Sequence, residues 1–375
     1  MNESGSSGVL QSLAFTAALV VAACSGGGAP TDAGGDRGDD AVPSDAPATS
    51  TSGLDSRPAN ATCVAPAVGS VAQLLSQTGC VDPANPTRPA GGLVPYDINV
   101  PFWSDGMAKE RFLSVPNGTT IDLDASGRLV FPNGAVLVKF FRQNGVLIET
   151  RLLMHHPDGS WAGYSYEWNA TGTDATLVTA STERVINGQT WTFPSTADCA
   201  RCHTNTTVFV LGTEVSQLNR AFTYASTGRT ANQLSTYEAI GLLTATLPAR
   251  PDTLPALPDP ADTTRPLHDR VRAYLHSNCS GCHRPGGPTP AQIDLRYTTT
   301  DAMMNVCNVT PVIGNLGIAN ARLLSPGNPD LSLLYLRPTR RGTGTGQMPP
   351  LATHVVDMAG TQVLRDWILS LTACP

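Results

Sequence analysis

The rhythm of apolar positions changes along the chain. From Val9 to Ala23 they run almost unbroken (VLQSLAFTAALVVAA), and from Ser25 to Thr62 large apolar residues almost vanish. From about residue 63 to 190 they come in short runs: Ile121–Leu123, Leu129–Phe131, Ala135–Phe141, Val146–Leu153 and Trp161–Trp168. These are cut by Asn117-Gly118, Ser126-Gly127, Asn133-Gly134, Asn144-Gly145, Asp158-Gly159 and Asn187-Gly188. Such pairs turn the backbone at low cost, so this stretch predicts antiparallel hairpins in a sandwich or barrel. Beyond it the spacing becomes helical. Val215, Leu218 and Phe222 predict one short helix, and Leu234, Tyr237 and Ile240 another. Leu267, Val271, Tyr274 and Leu275 recur at i, i+4, i+7, i+8 and predict a helix running into Cys279, with Thr264 as N-cap and Pro266 in its first turn. Val363, Leu364, Trp367, Ile368 and Leu371 predict a terminal helix. The expected fold is multidomain β + α: an antiparallel β-sandwich or barrel-like domain followed by mostly α-helical domains.

The two N-terminal segments carry other messages. Val9–Ala23 is too short to span a membrane and has the length of a signal-peptide core. It ends in Val21-Ala22-Ala23-Cys24, which looks like a bacterial lipobox with Cys24 as the acylated residue, although Glu3 and no Lys or Arg precede the core. Ser25 after the cysteine points to the outer membrane. Residues 25–62 have only Val42 and Leu54 as large apolar side chains and are expected to be a disordered tether. The expected organisation is signal peptide 1–23, tether 24–62, β-rich domain 63–190, a further region 191–247, Pro-rich linker 248–266 and a C-terminal domain 267–375. Of the net charge of −6, the stretch 24–62 holds six Asp against two Arg, so the rest is nearly neutral. With no basic tract, nucleic-acid binding is not expected, and partners would dock without strong long-range steering. Of 24 basic residues only Lys109 and Lys139 are lysines.

Nine cysteines give the main chemical signal: 24, 63, 80, 199, 202, 279, 282, 307 and 374. Four of them form Cys199-Ala200-Arg201-Cys202-His203 and Cys279-Ser280-Gly281-Cys282-His283. C-x-x-C-H is the attachment sequence of c-type haem: two thiols add across the haem vinyl groups and the next imidazole binds iron. Half of a zinc site or a redox dithiol are the competing readings of each C-x-x-C, but neither uses both following histidines. Two covalently attached haem c groups are therefore expected. Cys63, Cys80, Cys307 and Cys374 form an even remainder, as disulfides in an exported protein would. Cys63–Cys80 and Cys307–Cys374 are the pairings with the shorter loops.

A helix, C-x-x-C-H, a long loop containing Gly346-Gln347-Met348-Pro349-Pro350 and a terminal helix follow the order of a cytochrome c domain. Met348 is the expected distal ligand of the haem held by His283, since His plus Met ligation is a cytochrome c pattern that raises the potential. Met303, Met304 and Met358 are its competitors; packing is the expected role of the first two and core burial that of the third. For the haem held by His203, no Met lies between residues 203 and 303. Its sixth ligand is His155, His156, His268 or His276, a distant Met, or absent. Asp105, Glu110, Arg111 and Glu167 could serve acid–base work, with salt bridging or loop anchoring the simpler reading. Trp103, Trp161 and Trp168 read as core.

The blocks VPYDINVPFWSDGMAKERF, FPNGAVLVKFF, IETRLL, YSYEWN, CARCH, LGTEVSQLNR, YLHSNCSGCHRPGG and QMPP, in this order, resemble a family of largely uncharacterised bacterial di-haem c-type cytochromes over about residues 63–375. The resemblance implies electron transfer between periplasmic redox partners, with a quinoprotein dehydrogenase as one possible donor. Added to the lipobox, it predicts a protein on the periplasmic side of the envelope, touching the membrane through its lipid alone. The alternative is a di-haem oxidoreductase similar to bacterial cytochrome c peroxidases, in which the haem without an evident sixth ligand reacts.

Overall fold

Six strands carry the fold in the computed structural model, which describes residues 52–59 and 62–375. They are β1 (Val94–Tyr96), β2 (Ala108–Ser114), β3 (Val136–Gln143), β4 (Val146–His155), β5 (Trp161–Trp168) and β6 (Ala175–Leu177). Each pairs antiparallel with the next, so the sheet is a meander in chain order. Asn144 and Gly145 join β3 to β4 with φ of 49° and 84°, the left-handed pair that a two-residue hairpin needs to match strand twist. Asn187 and Gly188 repeat this at 48° and 80°, joining a two-stranded ribbon, β7 (Thr182–Ile186) and β8 (Gln189–Phe193).

Alternation along the strands gives the sheet two unlike faces. One face is mostly apolar, interrupted by Glu110, Ser114 and Thr150. Val138 and Phe140, Leu152 and Met154, and Tyr166 and Trp168 pack on Leu75, Val81 and Leu93 from the N-terminal segment. The Cys63–Cys80 disulfide lies within that core, with Cα atoms 4.3 Å apart. The other face is apolar only at its ends. Leu113, Leu137 and Leu153 meet Val215, Leu218 and Tyr237 at one end. Phe141 meets Met107, Trp191 and Phe193 at the other. Each such side chain taken fully from water contributes about 1.5–3 kcal/mol. Between the two clusters the same face carries Arg111, Lys139 and Arg151.

Past residue 193 the expectation of mostly helical domains is corrected. The described chain is 24% strand and 18% helix. Three helices here are short: α1 (Thr196–Ala200), α2 (Val215–Leu218) and α3 (Gln233–Ala239). The helix expected through Phe222 stops after one turn because Asn219 leaves helical backbone. Its amide instead donates to the carbonyls of Pro251 (2.7 Å) and Leu254 (2.9 Å). Phe222 then sits in a ribbon of β9 (Ala221–Tyr224) and β10 (Arg229–Asn232). These Asn219 bonds also tie down the Pro-rich stretch 248–266, which is no free spacer: Leu257 is buried and its N–H donates to Ser216 O at 2.8 Å.

Two longer helices, α4 (Leu267–Cys279) and α6 (Met358–Ser370), match the apolar spacing, with the single turn α5 (Leu333–Leu336) between them. Val271, Tyr274 and Leu275 of α4 share a core with Val363, Leu364, Trp367 and Ile368 of α6. Thr264 does not cap α4; its hydroxyl donates to Asp262 at 2.6 Å, and Pro266 occupies the N-cap position. Cys307 and Cys374 form the second disulfide, Cα atoms 5.7 Å apart. The tether ends earlier than expected. Leu54 is buried in the sheet's core, and Arg57 donates to the carbonyls of Val115 and Pro116, both at 3.0 Å. Thus the one large apolar residue near the end of the acidic segment draws 52–59 into the fold. The signal core and Cys24 lie outside the described residues.

Candidate functional site

Both C-x-x-C-H motifs close the same local turn. The second cysteine's N–H donates to the first cysteine's carbonyl at 3.2 Å (Cys202 to Cys199) and 3.1 Å (Cys282 to Cys279). The histidine N–H donates to that same carbonyl at 3.0 and 2.9 Å. The turn brings two thiols and an imidazole together within five residues.

The first motif is seated on the sheet. Ser195 caps α1 in a reciprocal box with Asp198, and Cys199 follows. Cys199 rests on Gly163 of β5, where an added Cβ would lie 2.8 Å from the sulfur. Only glycine admits that approach. His203 Nδ1 donates to the Phe209 carbonyl at 2.7 Å, leaving Nε2 as the free lone pair. Val208 and Phe209 both adopt positive φ, 52° and 62°, a costly reversal for such residues that belongs to the loop presenting this carbonyl. Burial pushes the His203 imidazole down to about 4, against the Phe209 hydrogen bond, so at neutral pH it is the uncharged form that ligates metal.

The second motif is carried by a helix end. Cys279 is the last residue of α4 and His283 follows in a turn. His283 Nδ1 is buried without a hydrogen-bond partner among the described residues. Burial and the charge of Arg337 hold this imidazole below its usual range.

One cavity of about 680 Å³ is lined by all six motif residues and by Met348, within the size range of cofactor sites. Cys202 and Cys282 meet within it. The two thiols are close enough to perturb each other, which lowers Cys282 and raises Cys202. Burial raises the other two thiols, Cys279 to about 12. All four are free cysteines. They do not gather as a four-cysteine metal site would: among the described residues no three His, Cys, Asp or Glu side chains are placed to hold an ion.

The loop bearing Met348 is pinned to the β region. Met348 N donates to Arg337 O at 3.1 Å. A little further on, buried Asp105 accepts from Thr353 Oγ1 (2.8 Å), His354 N (2.8 Å) and Val355 N (3.1 Å). Trp103 Nε1 donates to Val355 O at 2.9 Å. Asp105 is thus a loop anchor. Glu110 and Glu167 pair with Arg142 and Arg184 at the surface.

The structure commits most alternative ligands elsewhere. His155 donates to Phe131 O at 3.0 Å and stacks on Trp161, ring centres 4.4 Å apart. His156 uses both nitrogens, on Pro66 O (2.6 Å) and Tyr164 Oη (2.9 Å). His268 pairs with Asp301 at 2.9 Å. His276 lines the cavity, but its Nε2 bonds Glu214 and its Nδ1 accepts from Tyr297 N at 3.0 Å. Met304 is fully buried in the core of α4 and α6. Met303 and Met358 are 71% and 73% exposed, so the packing role expected for the first and the core position expected for the second are both corrected. Met358 opens α6 and faces solvent.

Sequence reasoning missed the cationic wall. Arg111, Lys139 and Arg151 lie in cross-strand register on β2, β3 and β4 and all line the cavity. Burial, reinforced by the two guanidiniums, pulls the Lys139 amine down to about 7. The available signal was compositional: the chain's two lysines both line this cavity. No known protein family, curated protein or solved structure matches this chain.

Proposed function

We propose that this chain is a di-haem c-type cytochrome that carries electrons in the bacterial envelope. The observation that supports it most is the shared cavity, lined by two complete C-x-x-C-H turns and by Met348. Cys199, Cys202, Cys279 and Cys282 would form the thioethers, with His203 and His283 as proximal ligands. A c-type haem, when bound, supplies an iron that gains and loses one electron at a potential set by its ligands and burial. The chain's own contribution is orientation and exclusion of water. Phe209 O fixes the His203 tautomer, Gly163 leaves room for Cys199, and the loop anchored by Asp105 holds the soft thioether of Met348 at the wall. Cys202 and Cys282 line one cavity and influence each other, so the two attachment points would be near each other, which suits electron exchange between the groups.

The lipobox and Ser25 support a site at the outer membrane with Cys24 as lipid anchor, and the resemblance supports a periplasmic one. Its partners would be a periplasmic donor, such as a quinoprotein dehydrogenase, and an acceptor. Among the described residues no helix is long and apolar enough to cross a membrane. A second reading, a peroxidase-like oxidoreductase, draws on the commitment of His155, His156, His268 and His276 to other partners, which leaves the His203 site without a histidine partner.

The test is the optical spectrum, oxidised and reduced, of protein matured with haem-attachment machinery, with covalent haem counted per chain. Two low-spin haems are expected of a carrier. Two haems with one high-spin favour the oxidoreductase, with peroxide as first substrate. One or none overturns the proposal.

A further inference from the structure

The wall of the cavity beside the first motif poses an electrostatic problem. Nine Lys or Arg line the cavity against three Asp or Glu, in a chain whose net charge is −6. Three of the nine form a row. Arg111 opposes Lys139, and Lys139 opposes Arg151, on one sheet face. Like charges directly opposite across strands destabilise a sheet. The two outer members are answered: Arg111 pairs with Asp97 at 2.6 Å, and Arg151 grips Glu149 with two bonds of 2.7 and 2.8 Å. Glu149 is itself fully buried and also accepts from Trp191 Nε1 at 3.0 Å, so its oxygens are engaged by other donors and none bonds Lys139. Lys139 has no hydrogen-bond or ion-pair partner among the described residues. Its nearest ring, Phe141, is 6.0 Å away. An amine placed so, between two guanidiniums and open to the cavity, is arranged to be held charged by an anion that arrives with the ligand.

We propose that this row is a carboxylate seat: Lys139, flanked by Arg111 and Arg151, pairs with a propionate of the haem attached at Cys199 and Cys202. The proposal rests on the haem reading above. The compact ammonium of lysine fits between two guanidiniums whose planar forks are already engaged.

The test uses the full chain matured with haem. Lys139→Met is compared with Lys139→Arg, which keeps the charge. In Lys139→Met the melting temperature falls by about 2 °C or more and the reduction potential of the first haem drops, while Lys139→Arg stays close to wild type. Both variants keep the spin state of both haems, and high formate leaves the wild-type melting temperature unchanged because the seat is filled by a tethered group. A change of spin state in both variants would overturn the proposal, since the amine would then be an iron ligand. So would a melting temperature that Lys139→Met does not move, or a stabilisation by formate that requires Lys139, which would assign the seat to a free anion. Failure of any haem to attach sinks the function proposed above instead, and is read separately from the haem count.

Discussion

The two C-x-x-C-H turns are locally alike and differently supported. The first lies on a sheet, with Cys199 against Gly163 and His203 Nδ1 held by the Phe209 carbonyl at 2.7 Å. The second hangs from the end of α4, and its His283 Nδ1 has no such partner among the described residues. Five residues fix the turn; what surrounds it fixes the tautomer, the approach of the sulfur and the charge. The first site is preorganised by distant strands, and the second depends on the packing of α4 against α6 and on the Met348 loop.

Each half has its own staple, and these give the largest expected contrast. In the chain-entropy view, opening Cys307–Cys374, which spans 67 residues, costs about 4 kcal/mol, and opening Cys63–Cys80, which spans 17, about 3 kcal/mol. Denaturant unfolding of the paired Cys→Ser variants measures both. A larger loss at Cys63–Cys80 would show that the second half leans on its staple less than its irregular chain suggests.

Glycine contacts sharpen the contrast at the motifs themselves. Gly163→Ala forces a Cβ to within 2.8 Å of the Cys199 sulfur and should cost about 1–3 kcal/mol as overpacking, with loss of haem at the first site. Gly281→Ala, inside the second motif, meets Leu211 at 3.4 Å and should cost less than about 0.5 kcal/mol, like an ordinary surface change. Equal losses of stability and haem in the two variants would mean that the sheet seat does not matter.

The smallest effect concerns capping. Ser195→Ala removes the box at the start of α1 and should cost about 1 kcal/mol, whereas Thr264→Ala, ahead of α4, should cost nothing measurable because Thr264 does not cap. The pH dependence follows from the same bond. The Ser195 hydroxyl holds the Asp198 carboxyl below its ordinary 3.8. Its folded value lies under its unfolded one, so this contribution is present above pH 3.8 and is lost as the pH falls through the folded value. Ser195→Ala should flatten that acid loss in a thermal-melt series.

Much of the meander was legible, because Asn144-Gly145 falls where a two-residue hairpin needs left-handed backbone and the apolar runs on either side have strand length. The spans of α4 and α6 were legible for the same reason: one apolar stripe of unbroken period. What could not be read depends on contacts distant in sequence. Phe209 bears no turn chemistry, yet its carbonyl orients His203. Loop anchoring was among the roles read for Asp105, but not that the loop it anchors is residues 353–355, some 250 positions away. Lys139 reads as one polar interruption in an apolar strand until register puts Arg111 and Arg151 beside it. Helical content after residue 190 was overestimated because short apolar periods such as Val215–Phe222 cannot reveal that a side chain like Asn219 will be captured elsewhere.

The contact between Cys202 and Cys282 sets a clock on maturation. In an oxidising compartment, two neighbouring thiols can be closed by an oxidant, and Cys282, the lowered one of the pair, is the readier nucleophile. The oxidants that must close Cys63–Cys80 and Cys307–Cys374 would, given time, also close this pair and remove one sulfur from each attachment motif. If haem is attached as proposed, thioether formation would have to win that race, and the order of oxidation and attachment, not the sequence alone, would decide the yield of holoprotein.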